Sequence, residues 1–129
     1  MMRSILVMII LLGFLTEKSP AQITELGYAS YYAQHFEGKP TASGEPYTGT
    51  KLTAAHRTLP FGTLVEIINV KNGRKVVVRI NDRGPFVEGR VLDVSECAAE
   101  KLNMLSDGVV QIRYRIVGLN EKSESCDRQ

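Results

Sequence analysis

The sequence predicts an all-β domain, a small closed barrel with one or two short helices, on three observations. Residues 64–70 (LVEIINV) and 108–117 (GVVQIRYRIV) alternate apolar and polar positions with the period of two that strands burying one face require. Lys71-Asn72-Gly73-Arg74 separates the first of these from a β-branched run at 75–81 and has the chemistry of a hairpin turn. A weak internal echo aligns Ala54-Ala55 and Leu59-x-x-Gly62-x-Leu64-x-x-Ile67 with Ala98-Ala99 and Leu105-x-x-Gly108-x-Val110-x-Ile112. Two similar halves about a pseudo-twofold axis would close the sheet on itself and leave no strand edge exposed.

The elements follow in chain order. Arg3 precedes an apolar run at 5–15 that is too short to span a bilayer comfortably, and Ser19-Pro20-Ala21 puts small residues where a signal peptidase reads. Residues 1–21 are therefore expected to be a signal peptide cleaved after Ala21, with an uncleaved anchor as the competing reading. No cysteine follows the run to carry a lipid. The expectation is an exported protein of the periplasm or cell envelope, nearly neutral and without a stable membrane anchor.

Residues 26–32 (LGYASYY) read as a first strand, and 35–47, rich in Gly, Pro, Ser and Thr, as a surface loop long enough to suggest function. Thr53-Ala54-Ala55-His56 is a short apolar lead-in to a turn at 59–62. In 64–70, Val65, Ile67 and Asn69 share a face; 91–94 is a short strand; Ser95 caps a helix reaching Asn103, with Glu96 favourable at its positive end. In 108–117, Val110, Ile112, Tyr114 and Ile116 share the buried face. Residues 22–119 form the domain, and 120–129 a polar, frayed, flexible tail.

Composition narrows the function classes. With 129 residues one domain is expected, and a net charge of +2 with no basic block excludes a nucleic-acid binder. Cys97 and Cys126 could pair in an oxidising compartment, but a small buried residue on a helix is the simpler account of Cys97. The two cysteines and His35 and His56 lack the spacing of a metal site, and no cofactor is expected.

The chemistry centres on 75–86, KVVVRINDRGPF. Its apolar strand stops at a polar turn, which places the Asp82 carboxylate at the end of a rigid element with Asn81 and Arg83 beside it. An aspartate there could instead only shape the turn. His56 could be a structural histidine, Glu45 a solvated loop charge and Asp93 a helix cap; Tyr28, Tyr31 and Tyr32 could pack the barrel or form a stacking platform for a ligand.

Five ordered blocks carry a resemblance: Gly27-Tyr28-Ala29-Ser30-Tyr31-Tyr32, Thr41-Ala42-Ser43-Gly44-Glu45-x-Tyr47, the run from Leu52 to Pro60, the run from Val78 to Phe86, and the run from Gly89 to Ser95. The chain from about Gly27 to Val117 resembles the RlpA-like (rare lipoprotein A) family of double-ψ β-barrel lytic transglycosylases. That resemblance implies a six-stranded double-ψ barrel, a glycan groove across it and cleavage of peptidoglycan strands. It implies Asp82 and His56 as catalytic residues, Glu45 and Asp93 as further groove carboxylates, and Asn81, Arg83, Thr41 and Ser43 as substrate-binding neighbours. Arg57 and Arg83 become candidates for the lactyl carboxylates of glycan stripped of peptides.

This chain departs from the family pattern at Tyr31-Tyr32-Ala33, where members show Trp-Tyr-Gly, and at Thr48, where an Asp is common. The family's frequent C-terminal peptidoglycan-binding repeat has no counterpart after Val117. A monomer acting on glycan strands, with divisome proteins as candidate partners, is the expectation. The reaction fits one carboxyl group, because the 6-hydroxyl of N-acetylmuramic acid attacks its own anomeric carbon and no water needs activating. A non-catalytic, expansin-like wall-binding or wall-loosening module is the alternative, and a hydrolase a third.

Overall fold

Asn72-Gly73 supplies the tight turn the hairpin needs: Gly73 takes φ +77°, and Asn69 and Arg74 close the pair through a 2.8 Å bond from Asn69 N to Arg74 O. The computed structural model describes residues 24–128, so the expected targeting segment, residues 1–21, lies outside the described residues. The strands are β1 (Glu25–Tyr31), β2 (Thr53–Ala55), β3 (Thr63–Asn69), β4 (Lys75–Asp82), β5 (Arg90–Val94) and β6 (Val110–Leu119), with α1 (Glu96–Lys101) between β5 and β6. They close into one barrel in the order β1-β5-β2-β4-β3-β6. No helix among the described residues is long and apolar enough to cross a membrane.

Pairing directions give the barrel its symmetry. β1 runs parallel to β5 and antiparallel to β6; β4 runs parallel to β2 and antiparallel to β3; β2 with β5 and β3 with β6 are antiparallel. Exchanging β1 with β4, β2 with β5 and β3 with β6 leaves this pattern unchanged, which is the pseudo-twofold relation the echo suggests. The echo is accurate at β3 and β6: Gly62 and Gly108, at φ +94° and +78°, introduce them, and Leu59 and Leu105 pack against the core. It fails at the alanine pairs. Ala54-Ala55 lies in β2, whose counterpart is β5, whereas Ala98-Ala99 lies on α1.

The inward faces of the strands fill the barrel. Val65, Ile67, Ile80, Leu92, Val94 and Ile112 lose all or nearly all contact with water, and Ala98, Ala99 and Leu102 of α1 and its C-cap join them. Each aliphatic side chain so buried contributes about 1.5–3 kcal/mol. Ser95 caps α1 by accepting the Ala98 N–H at 3.3 Å, and Asn103, at φ +53°, ends the helical run soon after Lys101.

Two expectations give way to the structure. Ile116 is 54% exposed rather than buried, because β6 carries a bulge: Leu64 pairs with Gly118 and Val65 with Ile116, so Val117 is an extra residue at which alternation fails. Residues 120–128 are not a frayed tail. Cys97 bonds to Cys126 across a Cα–Cα distance of 6.3 Å, Leu52 N donates to Glu124 O at 2.8 Å, and Cys126 N donates to Thr50 O at 3.0 Å. Burial of Cys97 on α1 and its pairing are compatible, since α1 sits beside the path the chain end takes. Closing that loop of 29 residues contributes about 3–4 kcal/mol by restricting the unfolded chain.

Candidate active site

Strand register assembles the site. Ser30 of β1 stands opposite Asp93 of β5, Asp93 opposite Ala55 of β2, and Ala55 opposite Asp82 of β4. Four strands therefore bring Ser30, Asp93, Ala55 and Asp82 into one row. Leu92 and Val94 point into the core, which turns Asp93 outward, and Ala55 leaves no bulk between the two half-buried carboxylates.

Asp82 accepts three hydrogen bonds: Oδ1 from Ala42 N and Arg83 N, both at 2.8 Å, and Oδ2 from the Tyr32 hydroxyl at 2.5 Å. Ala42 is held there by the loop 41–45, which is closed on itself. Thr41 donates to Glu45 O at 2.6 Å and lies 2.9 Å from the Ser43 hydroxyl, while Ser43 Oγ accepts the Glu45 N–H at 3.3 Å. The Thr41 and Ser43 hydroxyls are thus engaged in shaping the loop, and Ser43 N ties it to Asn81 O at 3.3 Å.

Tyr32 follows directly on β1. Its ring stacks on Tyr47 at 4.4 Å and meets Phe36 edge-on at 5.7 Å. Burial, the hydrogen bond to Asp82, and the charges of Asp82 and Asp93 hold its hydroxyl far above the ordinary phenol range, so it remains a donor. Tyr47 is pushed up as well, chiefly by burial, and its oxygen accepts the Glu96 N–H at 3.0 Å.

Asp93 is differently placed. Its Oδ1 accepts from the Ser30 hydroxyl and, at 3.1 Å, from Arg90 Nη2, which also donates to Ser30 Oγ at 2.6 Å. Glu45 likewise holds a cation, Arg79, through bonds of 2.9 and 3.1 Å, and accepts from Asn81 Nδ2 at 3.1 Å. Arg79 is only 7% exposed, and its Nε donates to Asn120 O at 2.7 Å.

The His56 backbone is joined to the acid strand, with His56 N donating to Asp82 O at 3.1 Å, but its ring faces elsewhere. Nδ1 accepts from Thr58 N and Leu59 N, each at 3.1 Å, so the neutral ring carries its proton on Nε2, 3.2 Å from the Tyr114 oxygen. Tyr114 in turn donates to Glu25 at 3.2 Å and is pushed up to about 12, by burial first and then by the Glu25 charge. Burial lowers the His56 pKa, Glu25 opposes it, and Arg83 and Arg57 add to the lowering.

Both arginines hold backbone. Arg83 Nη1 donates to Leu59 O at 2.8 Å and His56 O at 3.2 Å, with its guanidinium 4.1 Å above the Phe61 ring. Arg57 Nε donates to Pro85 O at 2.7 Å and Nη2 to Val87 O at 3.0 Å. Each loop is thus clamped by an arginine from the other.

The structure therefore gathers Asp82, Asp93 and Tyr32, and separately Glu45, Asn81 and Arg79; the His56 ring stands with Tyr114 and Glu25. Sequence reading singled out Tyr32 only as packing or platform and missed Arg79, although a lone arginine inside an otherwise apolar strand is a usable signal. Among the described residues no three His, Cys, Asp or Glu side chains gather to hold a metal ion.

Comparison with known proteins agrees with this architecture. A family model described as lytic transglycolase matches residues 24–114. A probable endolytic peptidoglycan transglycosylase RlpA of Treponema pallidum is 60% identical over 86 residues, 67% of this chain and 27% of that protein. The corresponding protein of Nostoc is 50% identical over 102 residues, covering 78% and 28%. The chain spans about a quarter to a third of the length of these relatives. Among solved structures, a Streptomyces papain inhibitor superposes with a TM-score of 0.61 at 27% identity, covering 78% of this chain and 99% of that one. A Clavibacter michiganensis expansin in complex with cellohexaose does so at 0.58 and 23% identity, covering 74% and 50%, a likeness of fold alone. With its six-stranded closed barrel and its extended match to both model and relatives, the chain belongs to the RlpA-like lytic transglycosylase family, whose fold is the double-ψ β-barrel.

Proposed function

We propose that the protein is a lytic transglycosylase that cuts the β-1,4 bond between N-acetylmuramic acid and N-acetylglucosamine in peptidoglycan glycan, preferring strands without stem peptides. The observation that carries this reading is the pairing of the acids: Glu45 is bound to Arg79 and Asp93 to Arg90, while Asp82 forms no ion pair among the described residues. A hydrolase needs a second free carboxylate to activate water or attack, and a lytic enzyme does not. The names of the relatives, endolytic peptidoglycan transglycosylases, support the same choice.

In this reading Asp82 moves one proton. It gives a proton to the glycosidic O4 as the C1–O4 bond breaks, and takes the proton of the muramyl O6 as O6 bonds to C1. The products are a 1,6-anhydro end and a free 4-hydroxyl, with no water consumed. Tyr32 and the Ala42 and Arg83 N–H groups fix the carboxylate. His56, held neutral, is a positioning residue that shapes the loop clamped by Arg83, while Glu45, Asn81, Asp93, Thr41 and Ser43 frame the sugar sites. Incubation with peptide-free glycan should release anhydro-ended fragments, one water lighter than reducing-end products by mass spectrometry, and Asp82→Asn should release about 10³-fold fewer. Reducing ends would make the protein a hydrolase; binding without release would make it an expansin-like module.

Residues 1–21 are, on the same proposal, a leader cleaved after Ala21 that delivers a monomeric domain to the envelope, where it meets glycan and any divisome partner. The Cys97–Cys126 bond suits that oxidising destination. Mass measurement of the exported protein should place its N-terminus at Gln22.

A further inference from the structure

The outer face of β4 is covered where alternation would leave it open. Val77, Arg79 and Asn81 alternate with the core residues Val76, Val78 and Ile80 and so point away from the barrel. Of the three only Val77 is exposed, whereas Arg79 and Asn81 keep 7% and 4% of their surface in water. Two segments cover them. One is the loop 41–45, through Glu45; the other is a strap, residues 120–126, that lies beyond the residues 24–114 matched by the family model. The strap is tied down by the Cys97–Cys126 bond, by Leu52 N donating to Glu124 O at 2.8 Å and by Asn120 N donating to Gly62 O at 2.9 Å.

Arg79 touches both covers. Its Nη1 donates to Glu45 Oε1 and Oε2 at 2.9 and 3.1 Å and to the Ser123 hydroxyl at 3.4 Å, and its Nε donates to Asn120 O at 2.7 Å. A guanidinium taken out of water requires such acceptors, and its planar fork gives them fixed directions, so Glu45 is set in place against the strap. Glu45 also accepts from Asn81 Nδ2 at 3.1 Å, and its backbone carbonyl accepts from Thr41 N at 2.8 Å and the Thr41 hydroxyl at 2.6 Å. The loop is thereby shut at Glu45 with Ala42 inside it, and the Ala42 N–H reaches Asp82 Oδ1 at 2.8 Å. Contacts run without a break from the strap through Arg79, Glu45 and the loop to Asp82. The other N–H donor to Oδ1, that of Arg83, is held by the clamp on the His56 and Leu59 carbonyls, in which the strap takes no part.

We infer that Arg79 is a positioning residue for the reaction: acting through Glu45, it sets the Ala42 N–H on Asp82, with residues 120–126 as the buttress it works against. For its effect on rate the inference rests on the function proposed above. Arg79 is nearly closed off from solvent and acts on turnover rather than on binding, because a carboxylate with a slack Oδ1 must be reoriented for each proton it moves while the groups that meet glycan stay where they are. An ion pair that only stapled the covers together would change stability and nothing else.

The test uses the chain from Gln22 to Gln129 and the variant Arg79→Lys, whose ammonium keeps the charge and a bond to Glu45 but has no fork to hold Asn120 O at the same time. Amide hydrogen exchange followed by NMR, without glycan, should show the Ala42 N–H exchanging about tenfold faster and the Arg83 N–H unchanged. On peptide-free glycan, kcat for anhydro-ended products should fall about tenfold with KM within about twofold of the parent. The paired substitution Cys97→Ala and Cys126→Ala, which frees the buttress without touching Arg79 or Glu45, should move both readouts in the same direction by about threefold. It decides the matter if Arg79→Lys does not fold. An unmoved Ala42 amide, a lower melting temperature with kcat kept, or a rise in KM alone overturns the inference. Exchange is read without substrate, so a responsive amide in a parent that releases no anhydro ends rejects the reaction alone, and an active parent whose amide ignores the substitutions rejects the positioning alone.

Discussion

Asp82 and Asp93 flank the same alanine, and the protein surrounds them with opposite chemistry. Asp93 meets a guanidinium and a hydroxyl that both belong to neighbouring strand positions, so its charge is balanced locally. Among the described residues Asp82 meets only neutral donors, two backbone N–H groups and a phenol. The first arrangement joins strands; the second orients a carboxylate without cancelling it. Proximity within one row is thus no guide to role, and the partner's charge is.

The largest effect that could break this contrast is catalytic. Asp82→Asn should cut the release of anhydro-ended glycan by about 10³-fold, the scale of a lost general acid and base, while Asp93→Asn should stay within about tenfold of the parent. Equal losses would erase the distinction. Stability should rank the two the other way round. Asp93→Asn leaves Arg90, whose Nε already lacks a partner among the described residues, without its carboxylate, and should lower unfolding free energy by about 2 kcal/mol in denaturant titration.

Tyr32→Phe sharpens the comparison more gently. It removes one donor from Asp82 and keeps the ring stacked on Tyr47, so kcat should fall about tenfold with KM nearly unmoved. A rise in KM alone would make Tyr32 a sugar platform instead. The smallest effect belongs to His56. Its folded pKa lies below the unfolded value of 6.5, so the unfolded chain binds the extra proton and stability falls as pH drops through and beneath 6.5. His56→Gln should flatten that fall in melting temperature between pH 7 and about 5, leaving the alkaline side alone.

The local code was readable wherever it was strictly periodic. Alternation placed β3 and the inward face of β6 as far as Tyr114, and it lost Ile116 only where an extra residue shifts the register, which no single-strand pattern records; β4 was placed by its apolar β-branched run, in which Val77 proves exposed rather than buried. β2, three residues long and buried throughout, offers no alternation and was read as a lead-in rather than a strand. The position of Asp82 was legible from the abrupt end of its strand. Its donors were not, since Tyr32 and Ala42 stand 50 and 40 residues away and reach it only through barrel closure. The disulfide was hidden for the same reason: composition says nothing about where a polar chain end returns.

The exchange of β1 with β4 and β2 with β5 has a further meaning for the row itself. It carries the Ser30–Asp93 pair onto the Asp82–Ala55 pair, and leaves the Asp93–Ala55 pair in place with its members swapped. Ser30 is therefore the twin of Asp82, and Ala55 the twin of Asp93. A palindromic frame carries a non-palindromic set of functional groups: β4 and β5 hold both acids at the places where β1 and β2 have small residues.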